Sequence, residues 1–200
     1  MIITYQEENY FKVQSGEQTI LTDPTNQRSI KGANVVIFSS IKDSEIISQI
    51  PLEEGSPISI YHQGEYEIGG IHIRGWSTEH EGDVEKTMYN IQWDDISIGI
   101  LGPLTKELDA KTLFAFQEID ILIVPAGGKP YIQQSAAAKI IRQLKPGIII
   151  PSLFKDLKPF LREIDGDDAL FEEKLTIKKK DIVPNAMKIV VLKPCLPSEK

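Results

Sequence analysis

The stretch EIDILIVPAGGKPYIQQSAAAKIIRQLKPGIIIP, from Glu118 to Pro151, decides the fold. Its first apolar run, Ile119 to Val124, stops at Pro125 and a Gly127-Gly128 turn. Helical spacing follows from about Gln133 to Leu144, and a second apolar run, Gly147 to Ile150, stops at Pro151. Both runs are short, rich in β-branched residues and nearly free of polar alternation, as strands covered on both faces are. A helix between two such strands makes a βαβ crossover. In open α/β folds chemistry collects beyond the carboxyl ends of such strands. The residues after Pro125 and Pro151 are therefore the first place to look for a site.

Working outward, Ile2 to Tyr5, Tyr10 to Val13 and Thr19 to Thr22 read as strands, the last ending at Asp23-Pro24. Asn34 to Phe38 is another strand of the buried kind, and SSIKDSEIISQI then takes helical spacing, with a helix over Asp43 to Ile50. Ile58 to Tyr61 and Glu65 to Ile68 are β-like, and Gly69-Gly70 turns the chain into Ile71 to Gly75. Met88 to Trp93 and Ile96 to Leu101 form a second hairpin around Asp94-Asp95. Thr105 to Phe116 and Pro159 to Ile164 read as helices, DGDD as an acidic link, and Leu175 to Ile177 and Met187 to Leu192 as closing strands. The first half is mostly antiparallel and the second alternates β and α. Two mixed β-sheets packed face to face, with helices on the outer faces, accommodate both patterns in a single domain, 1–200.

Composition narrows the function classes. With 200 residues, 41% hydrophobic and 26% charged, the chain can bury a substantial core. A net charge of −7 argues against nucleic acid or an anionic membrane as a partner held by bulk charge. No apolar run reaches membrane-spanning length. The opening MIITYQEENYFKV lacks the basic and apolar regions of a signal peptide. Cys195, the one cysteine, excludes an internal disulfide and fits a reducing cytoplasm. It sits in the tail KPCLPSEK without a nearby basic helix start or histidine partner, so it reads as an unactivated thiol.

The order of these pieces resembles the metallo-β-lactamase superfamily, specifically its small metal-dependent hydrolase branch related to ascorbate-6-phosphate lactonase. The resemblance is carried by ILTDP (Ile20 to Pro24), NVVIFSS (Asn34 to Ser40), GEYEIGGIHIRG (Gly64 to Gly75) and STEH (Ser77 to His80). It continues through IGILG (Ile98 to Gly102), IDILIVPAGG (Ile119 to Gly128) and AAAKIIRQLKPGIIIP (Ala136 to Pro151). What it implies is a four-layer αββα sandwich with a metal site along one edge, between the sheets. Divalent metals there activate a bound water and polarise a carbonyl or phosphoryl group. It also suggests assembly into a homo-oligomer.

Position by position, most of the implied metal-ligating residues are replaced. Members of the superfamily place H-x-H-x-D-H after the strand that NVVIF matches, and this chain has Ser39, Ile41, Asp43 and Ser44 there. His80 keeps one histidine position. Pro103 follows Leu101-Gly102 where a bridging aspartate belongs, and Leu153 stands where the last histidine belongs. Isoleucine, leucine and proline side chains offer a metal nothing. Asp43 and His80 remain as residual metal positions. Each also has a bland reading: Asp43 as a helix N-terminal acid, His80 as one histidine in a solvated acidic loop with Glu79, Glu81 and Asp83. Asp23 matches the carboxylate that orients a metal-binding histidine in the superfamily. Without that histidine it reads as a turn residue before Pro24.

Ser39, Ser40 and Ser44 have no base beside them in sequence, so they do not read as nucleophiles. Gly127-Gly128-Lys129 lacks P-loop spacing and reads as a strand-to-helix link. Lys178 to Lys180 reads as a solvated strand edge. His62 and His72 lie away from the aligned positions. The sequence therefore predicts a protein of this fold without the metal site, with no catalytic residues and no cofactor. Its role would be binding or scaffolding, toward a protein or small-molecule partner. The alternative is a hydrolase with a rearranged single zinc or manganese site drawing on Asp43, His80 and Glu79 or Asp83. A second alternative is metal-independent binding of a small molecule in the vacated cleft.

Overall fold

A computed structural model describes residues 1–25, 30–42, 55–82 and 84–195. The helix expected over Asp43 to Ile50 lies outside them. The first sheet holds β1 (Ile2–Glu7), β2 (Tyr10–Ser15), β3 (Gln18–Thr22), β4 (Val35–Ile37), β6 (Ile58–Ile60) and β14 (Leu175–Thr176), in the order β14-β1-β2-β3-β4-β6. The second holds β7 (Gly64–Ile68), β8 (Ile71–Glu81), β9 (Val84–Trp93), β10 (Ile96–Ile100), β11 (Ile121–Pro125), β12 (Ile148–Ser152), β13 (Leu170–Glu172) and β15 (Lys188–Leu192). Their order is β13-β15-β12-β11-β10-β9-β8-β7, and β5 (Ser40–Lys42) pairs with β9.

Both sheets are mixed, as the sequence pattern requires. Hairpins join β1 to β3 and β7 to β10, and β10, β11, β12 and β15 run parallel. The two tight turns owe their shape to residues that accept positive φ. Gly69 and Gly70 lie at 57° and 82°, and Asp94 and Asp95 at 52° and 62°, the twist that suits a two-residue hairpin. Every residue of β11 and β12 is buried, which explains their unbroken apolar runs. Between them α2 (Gln134–Leu144) buries Ala137, Ala138, Ile140 and Ile141. Lys145 then takes a left-handed conformation, and Pro146 cannot continue the helix.

The sheets face each other across one core in which Ile3, Phe11, Ile20 and Val35 meet Ile73, Ile91, Ile98 and Ile123. Behind the second sheet, α1 (Ala110–Ala115), α2 and α3 (Lys158–Glu163) close a second core around Phe116, Leu122, Ile141 and Phe160. Behind the first sheet, Leu21, Ile30, Val36, Phe38 and Ile41 form a third. The expected αββα sandwich is therefore present, with described helices over the second sheet.

Four local readings change. Ser40 to Lys42 does not begin a helix: it is β5, laddered antiparallel to residues 84–86, because Ile41 reaches the apolar cluster behind the first sheet. The helix expected from Thr105 starts only at Ala110. The Thr105 and Lys106 amides donate to the Glu79 carboxylate, and Asp109 caps the helix by accepting from the Thr112 amide at 2.8 Å. After the DGDD link comes β13, whose three exposed residues carry no apolar alternation to signal a strand. Lys179–Asp181 is one 3-10 turn rather than a strand edge, and the Lys179 ammonium bonds both oxygens of Asp120.

Candidate functional site

Five chain segments meet where the two sheets part. They are the β1–β2 turn (Glu8, Asn9), the end of β3 (Asp23), the passage from β4 into β5 (Ser39, Ser40), the segment after β10 (Pro103) and the end of β12 (Leu153). With Tyr131 they line a cleft of ≈ 220 Å³. Backbone hydrogen bonds hold the rim together. The Leu153 N–H donates to the Glu8 carbonyl at 2.9 Å and the Thr87 N–H to the Ser39 carbonyl at 2.9 Å. Gly102 is needed for the closeness of this packing: it has φ 63°, and a Cβ there would lie 2.8 Å from the Ser39 Cβ. Gly127 is held more tightly still, because a Cβ would fall 2.2 Å from the Leu153 carbonyl oxygen. The Gly-Gly turn thus lets the ends of β11 and β12 touch.

Asp23 is the polar centre of the cleft floor. Its Oδ1 accepts the Ser39 N–H at 2.6 Å, and its Oδ2 accepts the Ser39 hydroxyl at 2.5 Å and the Asn9 Nδ2 at 2.5 Å. Asn9 Nδ2 also reaches the Ser39 Oγ at 3.2 Å. Burial pushes the Asp23 carboxyl above its ordinary range, and the bonds from Ser39 and Asn9 only partly oppose this. Asp23 is thus more than a turn residue, since it ties β3 to β4 and to the β1–β2 turn. Asn9 is buried, and its Oδ1 has no hydrogen-bond partner.

The positions singled out from sequence scatter. Asp43, Ser44 and Asp83 lie outside the described residues, as does the Glu81 side chain. Ile41 packs into the apolar cluster behind the first sheet and does not line the cleft, whereas Pro103 and Leu153 do. His80 is not in a loop. It lies on β8, exposed, with its Nε2 3.2 Å from the Ser77 hydroxyl. His62 and His72 are also exposed, His62 bonding Glu85 at 2.7 Å. None of the three histidines lines the cleft. Among the described residues no group of three or more His, Cys, Asp or Glu side chains converges. Ser39 has a partner after all, but it is a buried carboxyl rather than the histidine or lysine that activates a serine. Cys195 is held at the first sheet, its N–H donating to the Tyr5 carbonyl at 2.8 Å.

In the sequence Glu79 stood out only as a neighbour of His80 and a possible carboxylate of the rearranged metal site, not as a buried clamp. A register shift between Ser77 and Glu79 leaves Thr78 unpaired, a bulge that reverses the alternation of β8. The Glu79 side chain, 3% exposed, turns inward. Its Oε1 accepts the Thr105 amide at 2.7 Å and the Lys106 amide at 2.9 Å. Its Oε2 accepts the Thr105 hydroxyl and lies 3.4 Å from the Lys86 ammonium. This clamp holds the segment that carries Pro103 against β8.

The family model described as "Beta-lactamase superfamily domain" matches residues 2–152. Among solved structures, the chain is similar to a metallo-beta-lactamase superfamily protein from Thermotoga maritima, with 23% identity and a TM-score of 0.75 over 96% of this chain and 97% of that one. It is also similar to the metallo-beta-lactamase fold protein YhfI from Bacillus subtilis, at 12% identity and a TM-score of 0.68 over 96% of each chain. Igni18, a metallo hydrolase from Ignicoccus hospitalis, shares 15% identity with a TM-score of 0.66 over 96% of this chain and 95% of that one. At such identities the likeness is one of fold. No curated protein matches the sequence.

Proposed function

The chain belongs to the beta-lactamase superfamily, and from that premise we propose that it has lost the superfamily's metal site and acts by binding rather than by hydrolysis. One observation carries the reading. Asp23, at the position that orients a metal-binding histidine in the superfamily, has both oxygens engaged by Ser39 and Asn9. A carboxylate held this way is part of a closed polar knot and offers nothing to a histidine ligand. The neighbouring ligand positions support the same reading, since Pro103 and Leu153 face the cleft with no donor atom. The fold alone does not transfer the activity of its hydrolase relatives. Within this reading the chain is a cytoplasmic relative of the ascorbate-6-phosphate lactonase branch, one domain over 1–200, with no resident zinc or manganese.

The alternative single-metal hydrolase would draw on Asp43, His80 and a nearby carboxylate converging at about 2.0–2.2 Å from one point. Glu79 is committed to Thr105, Lys106 and Lys86, and His80 faces solvent, so neither favours it. The test is metal content. Protein made with zinc and manganese supplied, then gel-filtered, should carry far less than one metal per chain by mass spectrometry of the elements. Near-stoichiometric metal that disappears in His80→Ala would refute the reading.

A further inference from the structure

We propose that the cleft between the sheets binds a small organic ammonium, the cationic end of an amine-bearing molecule, rather than the anionic ligands expected of a metal-charged site. This rests on the reading that no metal resides there. Among the described residues the cleft is lined by two acidic residues, Glu8 and Asp23, and by no lysine, arginine or histidine. With Asp23 buried and closed into its knot, Glu8 is the acid left to face a ligand. An entering phosphate or carboxylate would meet it with no cation among the described lining residues, whereas an ammonium meets the reverse. Its lining also includes the aromatic residue Tyr131 and the apolar residues Pro103 and Leu153. A carboxylate beside an aromatic face is the usual chemistry for holding a substituted ammonium. Glu8 stands close enough to Tyr131 to raise the phenol above its ordinary range, adding to the effect of burial.

Asn9 supplies the independent observation. It lines the cleft and is 4% exposed, and its Oδ1 lacks any hydrogen-bond partner while its Nδ2 is held by Asp23 and Ser39. A buried acceptor left unpaired is costly and points to a missing N–H or O–H donor. A primary ammonium supplies such donors and matches the charge of Glu8. At ≈ 220 Å³ the cleft is smaller than sites for drug-sized ligands, about 300–1,000 Å³, so the recognised group is small.

The experiment is a two-dimensional amide NMR titration of the full chain with ethylamine, glycerol and inorganic phosphate. Ethylamine should shift the signals of Asn9, Ser40 and Tyr131 saturably, with neither glycerol nor phosphate doing so. In Glu8→Gln the ethylamine Kd should rise about tenfold, the low end for a hydrogen bond to a charged group. That variant keeps the Glu8 carbonyl that receives the Leu153 amide, so the rim should stay in place. Phosphate or glycerol binding in the cleft as well as ethylamine, an unchanged Kd in Glu8→Gln, or no response to any probe would each overturn the proposal. Metal measured in the same sample separates the two readings. Stoichiometric metal defeats the metal-free reading itself, whereas metal-free protein without an amine response defeats only the ammonium site.

Discussion

Replacing Glu79 by alanine should destabilise the protein by about 3 kcal/mol at pH 7, within the range for removing one partner of a buried, hydrogen-bonded charge. The magnitude follows from what is left behind. The Thr105 and Lys106 amides and the Thr105 hydroxyl lose their acceptor, and the buried Lys86 ammonium loses a carboxylate 3.4 Å away. For a chain of this size the melting temperature should fall by about 6–12 °C, at roughly 2–4 °C per kcal/mol. Chemical denaturation at pH 7, followed by circular dichroism, reads the loss directly. The same site predicts a pH signature. Burial alone would raise the Glu79 pKa, but the hydrogen bonds from Thr105 and Lys106, with the Lys86 charge, outweigh it and hold it below 4.5. A carboxylate whose folded pKa is depressed stabilises the fold above its unfolded pKa. That contribution disappears as pH falls through the folded value. The gap between wild type and Glu79→Ala should therefore be full at pH 7 and shrink once the pH drops below 4.5. A loss under about 0.5 kcal/mol, the size of an ordinary surface substitution, or a gap that stays constant into the acid range, would refute the clamp.

Asp23 should show the opposite sign. Its folded pKa is raised by burial, so its contribution is present below 3.8 and is lost as pH rises through the folded value. Asp23→Asn should flatten that decline in denaturant midpoints measured from pH 4 to pH 7, and parallel slopes for the two proteins would count against it. Gly127→Ala places a methyl 2.2 Å from a backbone oxygen, and should cost about 3 kcal/mol or more because the backbone itself must move. An unchanged melting temperature would contradict that. Lys179→Met removes an ion pair to Asp120 whose lysine is half exposed, and should cost under about 1 kcal/mol. A larger loss in thermal melts would show the 3-10 turn to be anchored by that pair.

The elements legible in the sequence are those whose period is imposed by burial. β11, α2 and β12 appear within two residues of where the apolar runs and Pro146 place them, because both strands are covered and the helix buries one stripe. The hairpins were equally legible, since Gly69-Gly70 and Asp94-Asp95 tolerate the positive φ that their turns demand. β5, the start of α1 and β13 were not. Three-residue strands carry too little pattern, and the Thr105 segment is kept out of a helix by Glu79, which is 26 residues distant in the chain.

By itself, the sequence determined the superfamily and the absence of side-chain donor atoms at Ile41, Pro103 and Leu153, because identity at a position needs no coordinates. Tertiary structure alone decided what surrounds them. It sends Ile41 to a core behind the first sheet, turns His80 to solvent and Glu79 inward across one bulge, and draws Asn9, Asp23 and Ser39 into one knot. These outcomes depend on strand register and on contacts between segments far apart in the chain. A side chain's direction reverses with a single unpaired residue, and no local pattern in the sequence records that reversal.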